Sequence, residues 1–238
     1  MSQSQSVMTV MISCAERIAT RRNTFTQLAR AGFEPHVTLS PCDPPGWQQN
    51  REAGKAAIRY ALTAGASRIL FVEDDIDLAP DFGNAVTEAT LSSYGVVYLY
   101  MHDRADRVGV VYGLEEWAKV RAGGPQVPRI VPAGRVGLIY GSQAVLMTRE
   151  AAFMLFGALL NDENATDTCM LKAWIRGRQR VGIRLPHAVQ HRADKTLHER
   201  RASSSYRNPE NQKSLSYHLP RSLVAEPGTK IEQEQHPN

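Results

Sequence analysis

The sequence predicts an α/β fold, in which helices cover both faces of a mostly parallel central sheet. Two observations predict it. The chain opens with a strand segment, a helix segment and a second strand segment, which is the order that parallel sheets use. Further on, Ile69 to Val72 form an uninterrupted apolar run, typical of a strand buried on both faces. Together they predict a Rossmann-like sheet.

The strands are indicated by short apolar or β-branched runs that end at glycine, proline or charged residues. We expect strands at residues 7–12, 35–39, 68–73, 95–100, 130–131, 136–140 and 181–185. Residues 144–147 are also apolar, and we expect them to lead directly into a helix.

The helices are indicated by their start and stop signals. Gly32 follows the first helix, Asn50 is placed to cap the second, Gly65 ends it, and Thr148 precedes an apolar helix. We expect helices at residues 16–31, 50–64, 82–91, 148–159 and 167–176, the first with Ile18, Phe25, Leu28 and Ala29 on one side.

Length and composition indicate a globular chain with a substantial core. The 238 residues predict one domain over 1–192, followed by a polar, basic and partly disordered flexible tail over 193–238, rich in Ser, Pro, Asn, Gln, Glu and Lys. No apolar run is long enough to span a membrane, and residues 1–6 lack the features of a secretory signal. Three widely spaced cysteines argue against a disulfide framework, so we expect a cytoplasmic protein.

Three adjacent carboxylates, Glu73, Asp74 and Asp75, end the most apolar predicted strand. Ligands of open α/β sheets collect outside the carboxyl ends of strands, and adjacent buried carboxylates repel one another unless a cation or donors meet them. Carboxylate oxygens suit Mn²⁺ or Mg²⁺. The triplet predicts a metal site, and the alternative is a set of helix-capping or solvated loop charges.

Basic residues suggest where an anion could bind. Arg17 lies early in the first helix, where its charge opposes the helix dipole unless an anionic ligand is near. Gly54 and Lys55, in the first turns of the second helix, could allow close approach and meet a phosphate. Solvated arginines and an ordinary helix are the alternatives. Ten Lys or Arg residues between 172 and 207 could meet nucleic acid or another anionic partner, or form a solvated surface.

The order of these parts resembles GT-A-fold nucleotide-sugar glycosyltransferases, most closely the lipooligosaccharide glycosyltransferase family. The resemblance covers roughly residues 7–192. Its most specific parts are the Glu-Asp-Asp triplet at 73–75, a DXD-like motif, and the late Gln190-His191 pair. Weaker parts are the segment from Ser13 to Arg17, the helix from Asn50, the Gly141-Ser142-Gln143-Ala144 segment, and Asp167. The chain is short for the family, and its acceptor-side loops match nothing in it.

The resemblance implies a role for each matched residue. Asp75 would bind Mn²⁺ or Mg²⁺, and His191 would complete the metal shell. Asp74 and Glu73 would meet the ribose, base or metal, and Gly141 with Ser142 would line a sugar. Ser13, Arg17, Asn50, Gly54 and Lys55 belong to the expected donor-binding set. Asp167 would be a general base, with a helix-capping role as the alternative.

The resemblance thus implies a metal-dependent, hexosyltransferase-type glycosyltransferase. Its donor would be a nucleotide-sugar, and its acceptor a hydroxyl of a glycan, a lipid-linked sugar or modified DNA. A nucleotidyl or phosphoryl transferase would also need carboxylates and Mg²⁺, but it usually has a glycine-rich phosphate loop with lysine, and no G-x-x-x-x-G-K-[ST] is present. A non-catalytic nucleic-acid-binding protein using residues 172–207 leaves the acidic triplet unexplained.

Overall fold

The computed structural model describes residues 7–40, 47–100, 128–133, 141–185 and 187–192. It contains nine strands and five helices in these ranges. The strands are β1 (Val7–Cys14), β2 (His36–Ser40), β3 (Arg68–Glu73), β4 (Ile76–Leu78), β5 (Val96–Tyr98), β6 (Arg129–Pro132), β7 (Ala144–Thr148), β8 (Val181–Leu185) and β9 (Val189–His191). The helices are α1 (Ile18–Arg30), α2 (Trp47–Thr63), α3 (Phe82–Leu91), α4 (Arg149–Asn161) and α5 (Thr166–Arg176).

Seven strands form a central sheet in the order β2-β1-β3-β7-β5-β8-β6, which confirms the α/β class. The sheet is mixed rather than mostly parallel, with three parallel and three antiparallel pairs. The difference comes from β7, which runs antiparallel to both of its neighbours, and from β6 at the edge. The sequence reading missed β7 because its residues precede helix α4 without a turn signal.

The helices cover both faces of this sheet, and the alternation of β3 divides the core between them. Ile69 and Phe71 pack into one cluster, which takes residues from α2, α4 and α5. Leu70 and Val72 pack into the other, which takes residues from α1 and α3. Strand β3 is therefore buried on both faces, as its uninterrupted apolar run predicts.

A second, two-stranded sheet begins directly beyond the end of β3. Strand β4 pairs antiparallel with β9, so that Ile76 lies opposite His191 and Leu78 opposite Val189. Neither strand was predicted, because each is three residues long and too short to show a periodic pattern. This small sheet brings the late part of the chain to the carboxyl end of β3.

Several local expectations need correction. Helix α2 begins at Trp47, so Asn50 lies inside its first turn and is not its cap. Ile18 and Phe25 of α1 are exposed, at 64% and 40%, and Thr24 is buried with Leu28. The strand expected at 136–140 and the tail at 193–238 lie outside the described residues. Among the helices that the structure describes, none has both the length and the apolar character that crossing a bilayer requires.

Candidate functional site

The adjacent carboxyl ends of β1 and β3 bring Ser13 and the acidic triplet together. The two strands are parallel neighbours, with Ile12 in register with Glu73. Just beyond that pair, the Ser13 hydroxyl donates to Asp74 Oδ2 at 2.6 Å. Both side chains are buried. The parallel order predicted for this part of the chain therefore places Ser13 against the triplet.

Arg17 connects two of the three carboxylates. It stands at the N-cap position of α1, and its guanidinium Nη1 lies 3.0 Å from Asp74 Oδ1. Nη1 and Nη2 also donate to Asp75 Oδ2, at 3.1 and 3.2 Å. The Arg17 side chain is 17% exposed, against 3% for Asp74 and 13% for Asp75. The arginine thus contacts both acids at a site where all three side chains are largely shielded from solvent.

The small β4–β9 sheet places His191 at the same acid. His191 Nε2 lies 3.2 Å from Asp75 Oδ2, and the next residue, Arg192, donates its backbone N–H to the Asp75 carbonyl at 2.7 Å. The two predicted metal ligands are therefore neighbours, although 115 residues separate them in the sequence. The pairing of Ile76 with His191 produces this proximity.

The surroundings of Asp75 favour its ionised form. Burial opposes ionisation, but the hydrogen bond with His191 and the charges of His191 and Arg17 outweigh it, so the pKa of Asp75 falls to about 2. For His191, burial acts to lower the pKa, and the hydrogen bond and charge of Asp75 raise it above its usual range overall. Asp75 and His191 therefore behave as a tightly interacting pair.

For the other two acids of the triplet, burial is the main influence on the pKa. Burial raises the pKa of Glu73 to about 7, and the charge of Asp75 adds to the effect. Burial raises the pKa of Asp74 to about 6, against the lowering effect of the Arg17 charge. The Ser142 hydroxyl donates to Glu73 Oε1. Gly141 precedes it with a φ of +108°, a conformation that favours glycine.

The chemistry of Asp75 and His191 fits a hard divalent cation. Asp75 Oδ1 is buried and has no hydrogen-bond partner, so one carboxylate oxygen is available beside the imidazole. Within the described ranges, no group of three or more His, Cys, Asp or Glu side chains is arranged to hold a metal. Mg²⁺ is commonly held by one or two carboxylates, with water and substrate phosphates completing its shell. A cation sharing its coordination with a bound phosphate is the kind that these two residues could hold.

Asp167 lies in the first turn of α5. The N-cap of this helix is Ala165, so Asp167 is not its cap, and its Oδ1 accepts the Thr168 N–H at 2.7 Å. The charge of Asp167 contributes to raising the pKa of both Glu73 and Tyr98. Asp167 therefore lies within electrostatic reach of Glu73.

The predicted donor residues of α2 are engaged in packing and pairing within the fold. The Asn50 carbonyl accepts from the Thr166 hydroxyl at 3.3 Å. A Cβ on Gly54 would lie 2.9 Å from Thr166 Oγ1, so this glycine permits the close approach of α2 and α5. Lys55 pairs with Glu52 one turn away. The expected role of these three residues in donor binding stays a prediction.

Three further residues of the site were missed by the sequence analysis. Thr24 is fully buried, and its hydroxyl lies 2.5 Å from the Asp74 carbonyl and 3.1 Å from the Ile76 carbonyl. Arg192 donates to that hydroxyl and, at 2.5 Å, to the Ile76 carbonyl. Gln143 is 8% exposed, its Oε1 has no hydrogen-bond partner, and its carbonyl accepts the Glu73 N–H. Gln143 lies in the Gly141-Ser142-Gln143-Ala144 segment, but no role was expected for it. Nothing in the sequence marked Thr24 or Arg192 as part of the site.

The basic stretch at 172–207 is not a uniform solvated surface where the structure describes it. Arg184 is fully buried and pairs with Asp81 at 2.6 Å, and Lys172 pairs with Asp162 at 2.6 Å. Arg192 belongs to the site. These three charges are used within the fold, whereas Arg176, Arg178 and Arg180 are exposed. Residues 193–207 lie outside the described ranges.

The cysteines also require a correction. Cys14, at the end of β1, is disulfide-bonded, whereas Cys169 is free and buried. The cysteine spacing argued against a disulfide framework, and the structure shows that one cysteine of the chain nevertheless forms a disulfide. Disulfides are uncommon in reducing compartments, so the cysteine count no longer supports a cytoplasmic location.

The solved structures described here resemble this chain at low sequence identity. No protein-family model and no curated protein matches the chain. A mutant Drosophila β1,4-galactosyltransferase 7, in complex with manganese, UDP-Gal and xylobiose, is 10% identical, with 83% of this chain and 74% of that chain covered and a TM-score of 0.46. A glycosyltransferase involved in glycosylation of the major capsid of PBCV-1 is 9% identical, with 82% and 96% covered and a TM-score of 0.49.

A third similar structure belongs to another class of transferase. It is a putative glucose-1-phosphate thymidylyltransferase from Bacillus anthracis, 12% identical, with 85% of this chain and 96% of that chain covered and a TM-score of 0.46. Similarities of this size establish neither a family nor an activity for this chain. Its function has to be argued from the site.

Proposed function

We propose that this protein transfers a sugar from a nucleotide-sugar donor to an acceptor hydroxyl, with the help of Mn²⁺ or Mg²⁺. The observation that carries the proposal is the cluster of Asp74, Asp75, Arg17 and His191 at the carboxyl edge of the sheet. It combines buried acids, a basic residue and a carboxylate oxygen, Asp75 Oδ1, without a partner. Strongly perturbed acids at the ligand-binding edge of an α/β sheet are typical of functional sites.

The reaction requires control of charge on the leaving group. As the bond between the anomeric carbon and the phosphate oxygen breaks, negative charge develops on the nucleoside diphosphate. A cation held by Asp75 and His191 would supply electrophilic stabilisation of that charge. Arg17 would bind the diphosphate oxygens through its planar N–H groups. Ser13 and Arg192 would keep the acidic residues in place.

On the acceptor side, Asp167 would accept the proton of the attacking hydroxyl while the hydroxyl oxygen bonds to the anomeric carbon. This arrangement suits an inverting displacement. Glu73, which accepts a hydrogen bond from the Ser142 hydroxyl, would line the donor sugar together with Gly141. The catalytic unit would be residues 1–192. The acceptor would be a glycan, a lipid-linked sugar or modified DNA.

A thermal-shift screen tests the proposal directly. UDP-, GDP-, ADP-, CMP- and dTDP-linked sugars are each added with and without Mn²⁺, because a ligand that binds only the native state raises the melting temperature. We expect a rise for one nucleotide that depends on the metal. The rise should disappear in Asp75→Asn and persist in Asp162→Asn, a matched control at the end of α4. No rise with any donor would contradict the proposal.

A second assay separates glycosyl transfer from nucleotidyl transfer, which also uses carboxylates and a metal. Each nucleoside triphosphate is incubated with sugar phosphates and Mg²⁺, and released pyrophosphate is measured. We expect no pyrophosphate above background, and slow metal-dependent hydrolysis of the preferred nucleotide-sugar. Pyrophosphate release that Asp75→Asn abolishes would replace the proposed reaction with nucleotidyl transfer.

A further inference from the structure

Arg17 and His191 both contact the Asp75 carboxylate in this structure, and Arg17 is the permanently charged one of the two. Asp75 Oδ2 accepts two hydrogen bonds from Arg17 and also lies 3.2 Å from His191 Nε2. Asp75 Oδ1 accepts none. A divalent cation at Oδ1 would therefore share one carboxylate with a guanidinium. A divalent cation and a guanidinium on one carboxylate would repel each other strongly, because water is largely excluded from this site.

We propose that Arg17 couples the binding of the metal to that of the diphosphate, an inference that rests on the proposed function. With no anion bound, the guanidinium stays on Asp74 and Asp75 and weakens the affinity of the site for a divalent cation. A bound diphosphate gives the guanidinium a second anionic partner. The repulsion is then relieved, and the metal binds more tightly.

The placement of Arg17 supports this exchange. The Arg17 side chain is 17% exposed, so a ligand in solvent can reach it while it contacts both acids. It also stands at the N-cap of a 13-residue helix, where N–H groups and the helix dipole favour an anion. A guanidinium fits phosphate as well as carboxylate, so either partner satisfies its donors.

The coupling must be reciprocal. If the diphosphate raises the affinity for the metal by some factor, the metal raises the affinity for the diphosphate by the same factor. Removing Arg17 should affect the two ligands in opposite directions. It makes the acidic site more negative, which favours the metal, and it removes a donor from the anion, which disfavours the diphosphate.

Calorimetric titration of the full chain tests the inference. Mn²⁺ is titrated into the protein alone and in the presence of excess UDP or, in a parallel series, GDP, with metal–nucleotide association in buffer subtracted. For the wild type we expect the better nucleotide to tighten Mn²⁺ binding by about tenfold or more. In Arg17→Gln, Mn²⁺ alone should bind about tenfold more tightly than to the wild type, and the coupling factor should fall about tenfold, to the part that direct contact between metal and phosphate supplies.

Arg22→Gln is the matched control, because it removes the same charge from an exposed position of the same helix. It should leave both affinities within about twofold of the wild type, because exposed charges are screened. If Arg17→Gln binds Mn²⁺ alone no better than the wild type, Arg17 is only a support for the acids and the inference is wrong. If Arg17→Gln does not fold, a wild-type coupling factor near one overturns the inference by itself.

Failure of the inference is distinguishable from failure of the proposed function. Metal-dependent nucleotide binding that Asp75→Asn abolishes, with no effect of Arg17 on the coupling, would leave the proposed function in place. Absence of nucleotide binding under every condition would remove both.

Discussion

Two arginines of this protein each meet two carboxylates, and they do so in opposite ways. In the core cluster, Arg184 pairs with Asp81 at 2.6 Å and lies 3.6 Å from Glu88. The arginine side chain is fully buried, whereas each acid is 39% exposed. In the rim cluster, formed by Arg17, Asp74, Asp75 and His191, the acids are buried at least as deeply as the arginine, with Asp74 3%, Asp75 13% and Arg17 17% exposed.

The difference shows where the fold tolerates unfavourable charge. The core cluster buries one cation, and its two acids remain in contact with water. The rim cluster buries like charges beside each other, and burial raises the pKa of Asp74 to about 6. Such a site is kept at a cost to stability, which is expected where the acids bind a ligand rather than hold the fold together.

The largest expected effect on stability is in the core cluster. Asp81→Asn would leave the buried guanidinium of Arg184 without its 2.6 Å carboxylate, and we expect the free energy of unfolding to fall by about 3 kcal/mol. Urea denaturation followed by circular dichroism measures it. Arg184→Met removes the buried charge itself and should be less destabilising than Asp81→Asn. The opposite order would mean that packing, and not charge, makes the core cluster important.

A second test uses pH and the buried histidine near the core cluster. Burial and the charge of Arg184 lower the pKa of His187 to about 3. A histidine with a lowered folded pKa stabilises the protein above its unfolded pKa of about 6.5, and this stability is lost as the pH falls toward 3. Relative to His187→Gln, we expect the wild type to lose about 1.4 kcal/mol between about pH 7.5 and 5.5.

The comparison with His187→Gln is needed because other groups titrate in the same range. Glu73 and Asp74 have raised pKa values, so their protonation stabilises the fold as the pH falls, and the raised pKa of His191 acts in the same direction. Urea midpoints of both proteins at the two pH values separate these contributions. Parallel stability curves for the two proteins would show that His187 does not titrate on unfolding.

The sequence predicted the rim cluster better than the sheet that supports it. Strand β3 and its acidic end were recognisable because an apolar run stops at three carboxylates. Helix α3 was predicted with its observed bounds, and Thr148 caps α4 as expected, accepting from the Ala151 N–H. These features depend on neighbours in the sequence, so a single sequence contains the information.

The missing parts depend on contacts between distant residues. An apolar run such as 144–147 does not distinguish a strand from the start of a helix. Strands β4 and β9 are too short to show a period, and Thr24 and Arg192 meet across 168 positions. Contacts between distant residues also lower the pKa of Asp75, through His191 and Arg17. Burial instead raises the pKa of Glu73 and Asp74.

A third test concerns the packing of α2 against α5, where no charge is involved. A Cβ at Gly54 would approach Thr166 Oγ1 to 2.9 Å and Cγ2 to 3.1 Å. Overpacking of this kind costs about 1–3 kcal/mol, and the better helix propensity of alanine offsets about 1 kcal/mol of it. We expect Gly54→Ala to lower the free energy of unfolding by about 1 kcal/mol. Thr166→Ser removes Cγ2 and should recover part of the loss in the double variant, whereas additive effects would argue against a direct clash.

The smallest expected effect is at Asp74, the rim counterpart of Asp81. Asp74→Asn removes a buried carboxylate whose ionisation is unfavourable, but it also weakens the contacts with Ser13 and Arg17. These changes oppose each other, so at about pH 7.5 we expect the free energy of unfolding to stay within about 1 kcal/mol of the wild type. The same denaturation series as for Asp81→Asn measures it. A loss as large as that of Asp81→Asn would mean that both clusters hold the fold together, and the raised pKa of Asp74 would then no longer argue for a ligand at the rim.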